Sequence, residues 1–178
     1  NGLYGLVPST RVPLEMIERV EVLKGPGSLT NGVGPNGSVG GNINLVTKRA
    51  GDEPLTRVTG TYMGQAQFGT HLDVGRRFGT DNQWGVRANG VWRNGEGNID
   101  GGRQRLGLGS LGLDFAGDKL RWSLDALATD GKTTEFRPQI GFRSGITSVP
   151  AVPDARLNFY PGTELTDKAR TVISRLEY

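Results

Sequence analysis

The residues of this chain that could do chemistry are few, and their spacing excludes more than it offers. His71 is the only histidine, and there is no cysteine. A transition-metal site needs several His, Cys or carboxylate ligands together. A lone His71 therefore reads as a solvated or hydrogen-bonded side chain, and the chain is not expected to ligate a metal itself. Without Cys there is no disulfide scaffold and no thiolate, although this assigns no compartment. Ser28 and Ser38 have no histidine near them in sequence, so no nucleophile–base pair is visible; pairing in space with His71 stays open. Gly32, Gly34 and Gly37 fit the spacing G-x-G-x-x-G. A dinucleotide loop must end a strand and open a helix, whereas here Pro35 interrupts the loop and a strand pattern follows it. No G-x-x-x-x-G-K-[ST] loop is present.

Charge narrows the choice further. Lys and Arg number 21 against 18 Asp and Glu, a formal charge of +3. A nucleic-acid binder gathers its cations in a stripe with interleaved aromatics, but these are scattered along the chain. That excludes nucleic acid as the expected partner.

The elements that must position these side chains are strands. Gly is 29 of 178 residues and hydrophobic residues are 35%, which disfavours a helix bundle and suits tight turns and close strand packing. No apolar stretch is long enough for a transmembrane helix. One helical turn is expected at Leu14-Glu15-Met16-Ile17, leading into a strand at Val20-Glu21-Val22-Leu23. A second strand pattern follows at Asn42-Ile43-Asn44-Leu45-Val46. Past a turn-rich break at Asp52-Glu53-Pro54, period-2 alternation predicts strands near 57–63, 68–78, 84–93, 106–115, 120–128 and 171–178. After the first connection, the lengths alternate short and long, as in an up-and-down outer-membrane barrel.

The strand faces can be assigned. Trp84, Val86, Ala88 and Trp92 oppose Arg87, Asn89 and Arg93. Leu120, Trp122, Leu124 and Ala126 oppose Arg121, Ser123 and Asp125. Phe68, Leu72, Val74 and Phe78 oppose His71, Asp73 and Arg77. An apolar outside around a polar inside is what lipid requires. Arg76 falls on the outer face, where its stem can snorkel. Leu106 and Leu108 are out of phase with Leu111, Leu113 and Phe115, which predicts a bulge near Gly109-Ser110. Phe78, Trp84, Phe115 and Trp122 flank the two short turns, as an aromatic girdle does. The inward Arg77, Arg87, Arg93 and Arg121 have two readings: pairing with Glu15, Glu18 or Glu21, or attracting an anionic complex.

Two blocks carry a resemblance. Glu18-Arg-Val-Glu-Val22 with Lys24-Gly25-Pro26, and Gly40-Gly41 with Ile43-Asn44-Leu45-Val46-Thr47-Lys48-Arg49, flank a Gly-rich loop with Gly32 and Gly37. Their order and spacing resemble the end of the plug domain of TonB-dependent outer-membrane siderophore receptors, of the ferrichrome, coprogen and pyoverdine type. The resemblance implies a mainly β fold: the C-terminal part of a plug over 1–50, then about six strands of a transmembrane antiparallel β-barrel over 51–178. The chain is expected to be an internal piece of a longer protein.

The resemblance also implies a bacterial outer-membrane location and import of a ferric siderophore rather than catalysis. Outer-membrane lipid would surround the wall. A TonB complex would act through an N-terminal segment not in this chain. No cofactor is implied, because the siderophore carries the iron. Another cargo (cobalamin, haem, an oligosaccharide), an added signalling role toward an anti-sigma regulator and a plain porin-like barrel remain alternatives. In this family the loop corresponding to 24–41 faces substrate, which makes Leu29, Thr30, Asn31 and Gly32 ligand-contact candidates. Relatives importing hydroxamates usually carry an aromatic where this chain has Asn31. Residues 1–6, with Tyr4, would form another apical loop. Lys48 and Arg49 resemble the basic pair that meets barrel carboxylates, with partners expected beyond Tyr178.

Overall fold

The computed structural model describes residues 2–3, 12–25, 40–64, 66–135, 144–145, 148, 151–159 and 161–178. A single 3-10 turn, Leu14–Met16, enters strand β1, Ile17–Lys24, which pairs antiparallel with β2, Gly41–Thr47. This inner hairpin lies against a second, six-stranded antiparallel sheet. Its strands are β3 (Leu55–Met63), β4 (Gln67–Phe78), β5 (Trp84–Glu96), β6 (Arg103–Ala116), β7 (Arg121–Thr134) and β8 (Glu164–Glu177), in sequence order across the sheet. Every neighbour is the next strand in the chain, so the sheet is a plain meander. No helix among the described residues is long and apolar enough to cross a membrane.

The expected strands are all present, but most are longer than alternation alone suggested. β8 begins at Glu164 rather than near Thr171, because its first half carries charge on both faces and gives no apolar signal. The faces follow the expected parity. Along β5, Gly85, Asn89, Val91 and Gly95 are buried, whereas Trp84 and Trp92 are exposed. Leu72, Trp92 and Val172 stand out from the wall at 44%, 54% and 72% exposure, while the most completely buried side chain among the described residues is an acid, Asp73, at 1%. A soluble sheet would show the reverse. This wall is apolar outside and polar inside, as a lipid-facing barrel wall must be.

The expected bulge at Gly109-Ser110 is absent. β6 pairs with both neighbours in unbroken register, from Trp84↔Phe115 to Glu96↔Arg103 on one side and Gln104↔Thr133 to Ala116↔Arg121 on the other. Leu106 and Leu108 are out of phase for a different reason: they face inward. Leu108 forms a small core with Met16, Ile17 and Val91, and Val12, Leu45, Leu106 and Leu127 pack around it. This core sits between hairpin and wall. Burying side chains such as Met16 and Ile17 contributes about 1.5–3 kcal/mol each to the docking. An irregularity in register does occur, but in the hairpin, between Ile17 and Arg19.

The outer face keeps its aromatic row. Phe78 and Trp84 stack at 6.5 Å across one short turn, Trp84 meets Phe115 at 4.7 Å, and Trp84 meets Trp122 edge-on at 6.4 Å. The indole N–H of Trp122 donates to Ser174 Oγ at 3.1 Å. The row marks the short-turn end of the wall. Arg76 does not simply snorkel: its guanidinium donates to Leu55 O and, at 2.7 Å, to Thr56 Oγ1 at the start of β3.

Candidate functional site

Where β2 ends, the chain passes straight onto the wall. The Lys48 amide donates to Met16 O at 3.0 Å, holding the exit beside the entry to β1. From there Thr47, Lys48 and Arg49 reach two strands. Lys48 Nζ donates to Asp73 Oδ2 on β4 at 3.0 Å. Thr47 Oγ1 and Arg49 Nη2 donate to Asp125 on β7, at 2.7 and 2.5 Å. The partners of the basic pair therefore lie within the first strands of the wall, which corrects their expected place beyond Tyr178.

Asp73 is the hub. Arg87 on β5 clamps it with two bonds, Nε to Oδ1 at 2.5 Å and Nη2 to Oδ2 at 2.8 Å, and also donates to Arg49 O at 3.3 Å. The three side chains are 1%, 17% and 11% exposed for Asp73, Lys48 and Arg87. With its amide nitrogen turned toward them, Asn89 brings its two N–H groups within reach of three acceptors, Asp73 Oδ1 at 3.2 Å, Glu15 O at 3.3 Å and His71 Nε2 at 3.1 Å. A carboxylate so enclosed is viable only because cations and donors surround it.

Glycines make the approach possible. A Cβ on Gly112 would sit 2.7 Å from Arg49 Nη1 and 3.1 Å from Lys48 O, so a side chain there would push the guanidinium aside and crowd the inner chain where it crosses β6. On Gly85 a Cβ would sit 2.5 Å from Asp114 Oδ1, the carboxylate that folds across it to meet Arg77 Nη2 at 2.7 Å.

The inward arginines divide. Arg93 pairs with Glu15 of the inner turn, as the first of the two readings held. Arg87 and Arg77 instead pair with Asp73 and Asp114 of the wall itself, while Arg121 has no ion pair among the described residues. Glu21 pairs with no wall residue. Arg19 beside it, with help from Asn44, holds its carboxyl below the usual carboxylate range. His71 meets Asn89, and no group of three or more His, Cys, Asp or Glu among the described residues is placed to hold a metal ion. Asp73 and Asp125 were detectable in sequence as lone inward carboxylates. Which cations they take was not, because they lie 25 and 76 residues from their partners.

Of the ligand-contact candidates, Tyr4, Leu29, Thr30, Asn31 and Gly32 lie outside the described residues. Gly2 is described. Its amide donates to Asn44 Oδ1 at 3.0 Å at the short-turn end of the wall, so the expected apical position does not extend to the start of the 1–6 segment.

A lipid-facing meander with an inner hairpin tied to its polar face defines a class of protein. In sequence and fold it is similar to the plug–wall junction of TonB-dependent outer-membrane siderophore receptors. The individual relatives agree. The chain is 44% identical, over 99% of its length, to the ferrichrome receptor FcuA of Yersinia enterocolitica, of which it covers 24%. It superposes on the crystal structure of BauA, the ferric preacinetobactin receptor of Acinetobacter baumannii, with a TM-score of 0.93 and 42% identity, covering 99% of this chain and 26% of that one. The ferripyoverdine receptor of Pseudomonas aeruginosa shares the fold at 21% identity, with a TM-score of 0.71 over 92% of this chain and 22% of its own. This chain thus spans about a quarter of the length of these relatives. No family model matches it.

Proposed function

We propose that the protein carrying this chain imports a ferric siderophore across the bacterial outer membrane. Residues 1–50 end its plug, and 51–178 supply the first six strands of the barrel. The observation that carries this reading is the junction itself. A hairpin held in a polar lumen by Lys48–Asp73 and Arg49–Asp125 is a stopper fastened to its barrel. Relatives named as ferrichrome and ferric preacinetobactin receptors support the cargo class. The protein performs no catalysis and holds no cofactor in this reading; the iron arrives chelated. A TonB complex supplies the work through a segment outside this chain.

The test is growth. A strain whose only siderophore receptor is the full-length protein is starved of iron and offered ferric hydroxamates and catecholates singly. Growth on at least one is expected. Failure on all of them, with the receptor present in the outer membrane, refutes import. Within this reading, the 24–41 loop contacts the cargo and Asn31 offers it an amide. Asn31→Tyr should change which chelates bind while leaving the receptor folded. Identical binding profiles would remove Asn31 from the site and leave transport standing.

A further inference from the structure

The two long connections of the wall are bonded to each other. The one from β5 to β6, residues 97–102, first closes on itself. The Gly97 amide donates to Gly102 O at 2.8 Å, and the Gly102 amide to Ile99 O at 2.9 Å. Residues 154–157, in the connection from β7 to β8, dock on this turn. The Asp100 amide donates to Arg156 O at 3.0 Å, and Arg156 Nε donates back to Asp100 Oδ1 at 2.8 Å. Asp154 shapes the docking segment, accepting from the Arg156 amide at 2.8 Å through its side chain and from the Leu157 amide at 3.2 Å through its backbone. The Asp100–Arg156 ion pair is more than half exposed on both sides, so by itself it stabilises little.

The anchor is Glu135, the first residue past β7. Its amide donates to Thr163 O at 2.8 Å. Its carboxylate accepts from the Gly162 amide at 2.9 Å and from Asn158 Nδ2 at 2.5 Å. The far end of the same connection is thus drawn back to its start, directly after the 154–157 segment. Glu135 does this at φ 52°, a backbone conformation uncommon for a residue with a side chain. Such a conformation persists where the surrounding structure over-determines it. The other connection meets Glu135 too. A Cβ on Gly102 would sit 3.1 Å from Thr134 O and 3.4 Å from Glu135 O. The two connections therefore touch at two places, Gly102 beside Glu135 and Asp100 beside Arg156.

We infer that the described parts of these two connections form one mechanical body, with Glu135 as the residue that positions it. A contact made by either connection is then felt by both. In the transport reading above, a cargo seated against one would order the other; that use rests on that reading, whereas the coupling does not.

The test is amide hydrogen exchange in the full-length receptor in detergent, where local opening sets the rate. In the parent, the Asp100 and Gly162 amides should both be protected, although each lies in an exposed connection. Glu135→Ala should lower protection on the order of tenfold at Gly162 and also at Asp100, which its side chain does not touch. Glu135→Gln keeps an oxygen that can accept both bonds, so it should retain most of the protection at both amides. An Asp100 amide that exchanges as a free chain in the parent overturns the coupling, whatever the variants do. So does a loss in Glu135→Ala confined to Gly162. A loss in Glu135→Gln equal to that in Glu135→Ala overturns the positioning role of Glu135. Each of these results leaves the growth test untouched.

Discussion

Replacing Asp73 with Ala should detach the end of the plug more than any other single change on the wall. The side chain is 1% exposed and accepts bonds from Lys48 and Arg87 at 2.5–3.0 Å. Removing it leaves two cations facing each other, 17% and 11% exposed, with no carboxylate between them. Breaking a buried pair from one side costs about 3–5 kcal/mol. Asp125→Ala should cost less, about 1.5–3 kcal/mol, because Arg49 is 29% exposed and retains Leu124 O at 3.4 Å. The assay is hydrogen exchange of β2 and the Lys48 amide in the full-length receptor, where local opening sets the rate. Asp73→Ala should lower protection there by about a hundredfold or more. Adding Lys48→Met should recover part of the loss, since it removes one of the stranded charges. Unchanged exchange in Asp73→Ala, or a larger effect from Asp125→Ala, would refute the assignment of Asp73 as the hub.

Other perturbations separate the lumen face from the lipid face. Gly112→Val should loosen the junction by about 1–3 kcal/mol through overpacking against Lys48 O, whereas Gly109→Val, with nothing within 4 Å of its Cβ, should be tolerated; equal stability of the two in thermal melts would contradict the close crossing. Ala88→Arg, on the lipid face, should cost about 2–4 kcal/mol at mid-bilayer, measured by urea unfolding in lipid vesicles, and a neutral result would invert the parity. The 178-residue chain expressed alone should aggregate or stay heterogeneous in detergent, because β3 and β8 leave open edges that lipid does not tolerate. A monodisperse, protease-resistant species would show that the six strands close without further chain.

The strands and their faces were legible because alternation is a local signal: every residue from Trp84 to Arg93 carries its orientation in its parity. What failed was local inference about long-range contacts. Leu106 and Leu108 broke the lipid-facing phase, and a bulge was the only explanation within one strand. The actual reason, apolar contact with Met16 and Ile17, lies about 90 residues upstream. In the same way the sequence identified Lys48 and Arg49 as carboxylate-seekers without saying which carboxylates. Register across β4 to β7 decides that, and register accumulates from every turn between them. The first half of β8 was missed because it carries ion-paired side chains, among them Lys168 near Asp130 at 3.5 Å, in place of apolar ones.

Two consecutive residues, Lys48 and Arg49, grip β4 and β7, and three strand spacings lie between those grips. Along the sheet that is an arc of about 14 Å. The inner chain spans the same interval as a chord across the inside of the bend, through the Lys48 and Arg49 side chains. The stopper is therefore also a tie. It fastens two strands that are not neighbours in the sheet, and a change at either grip is felt by both.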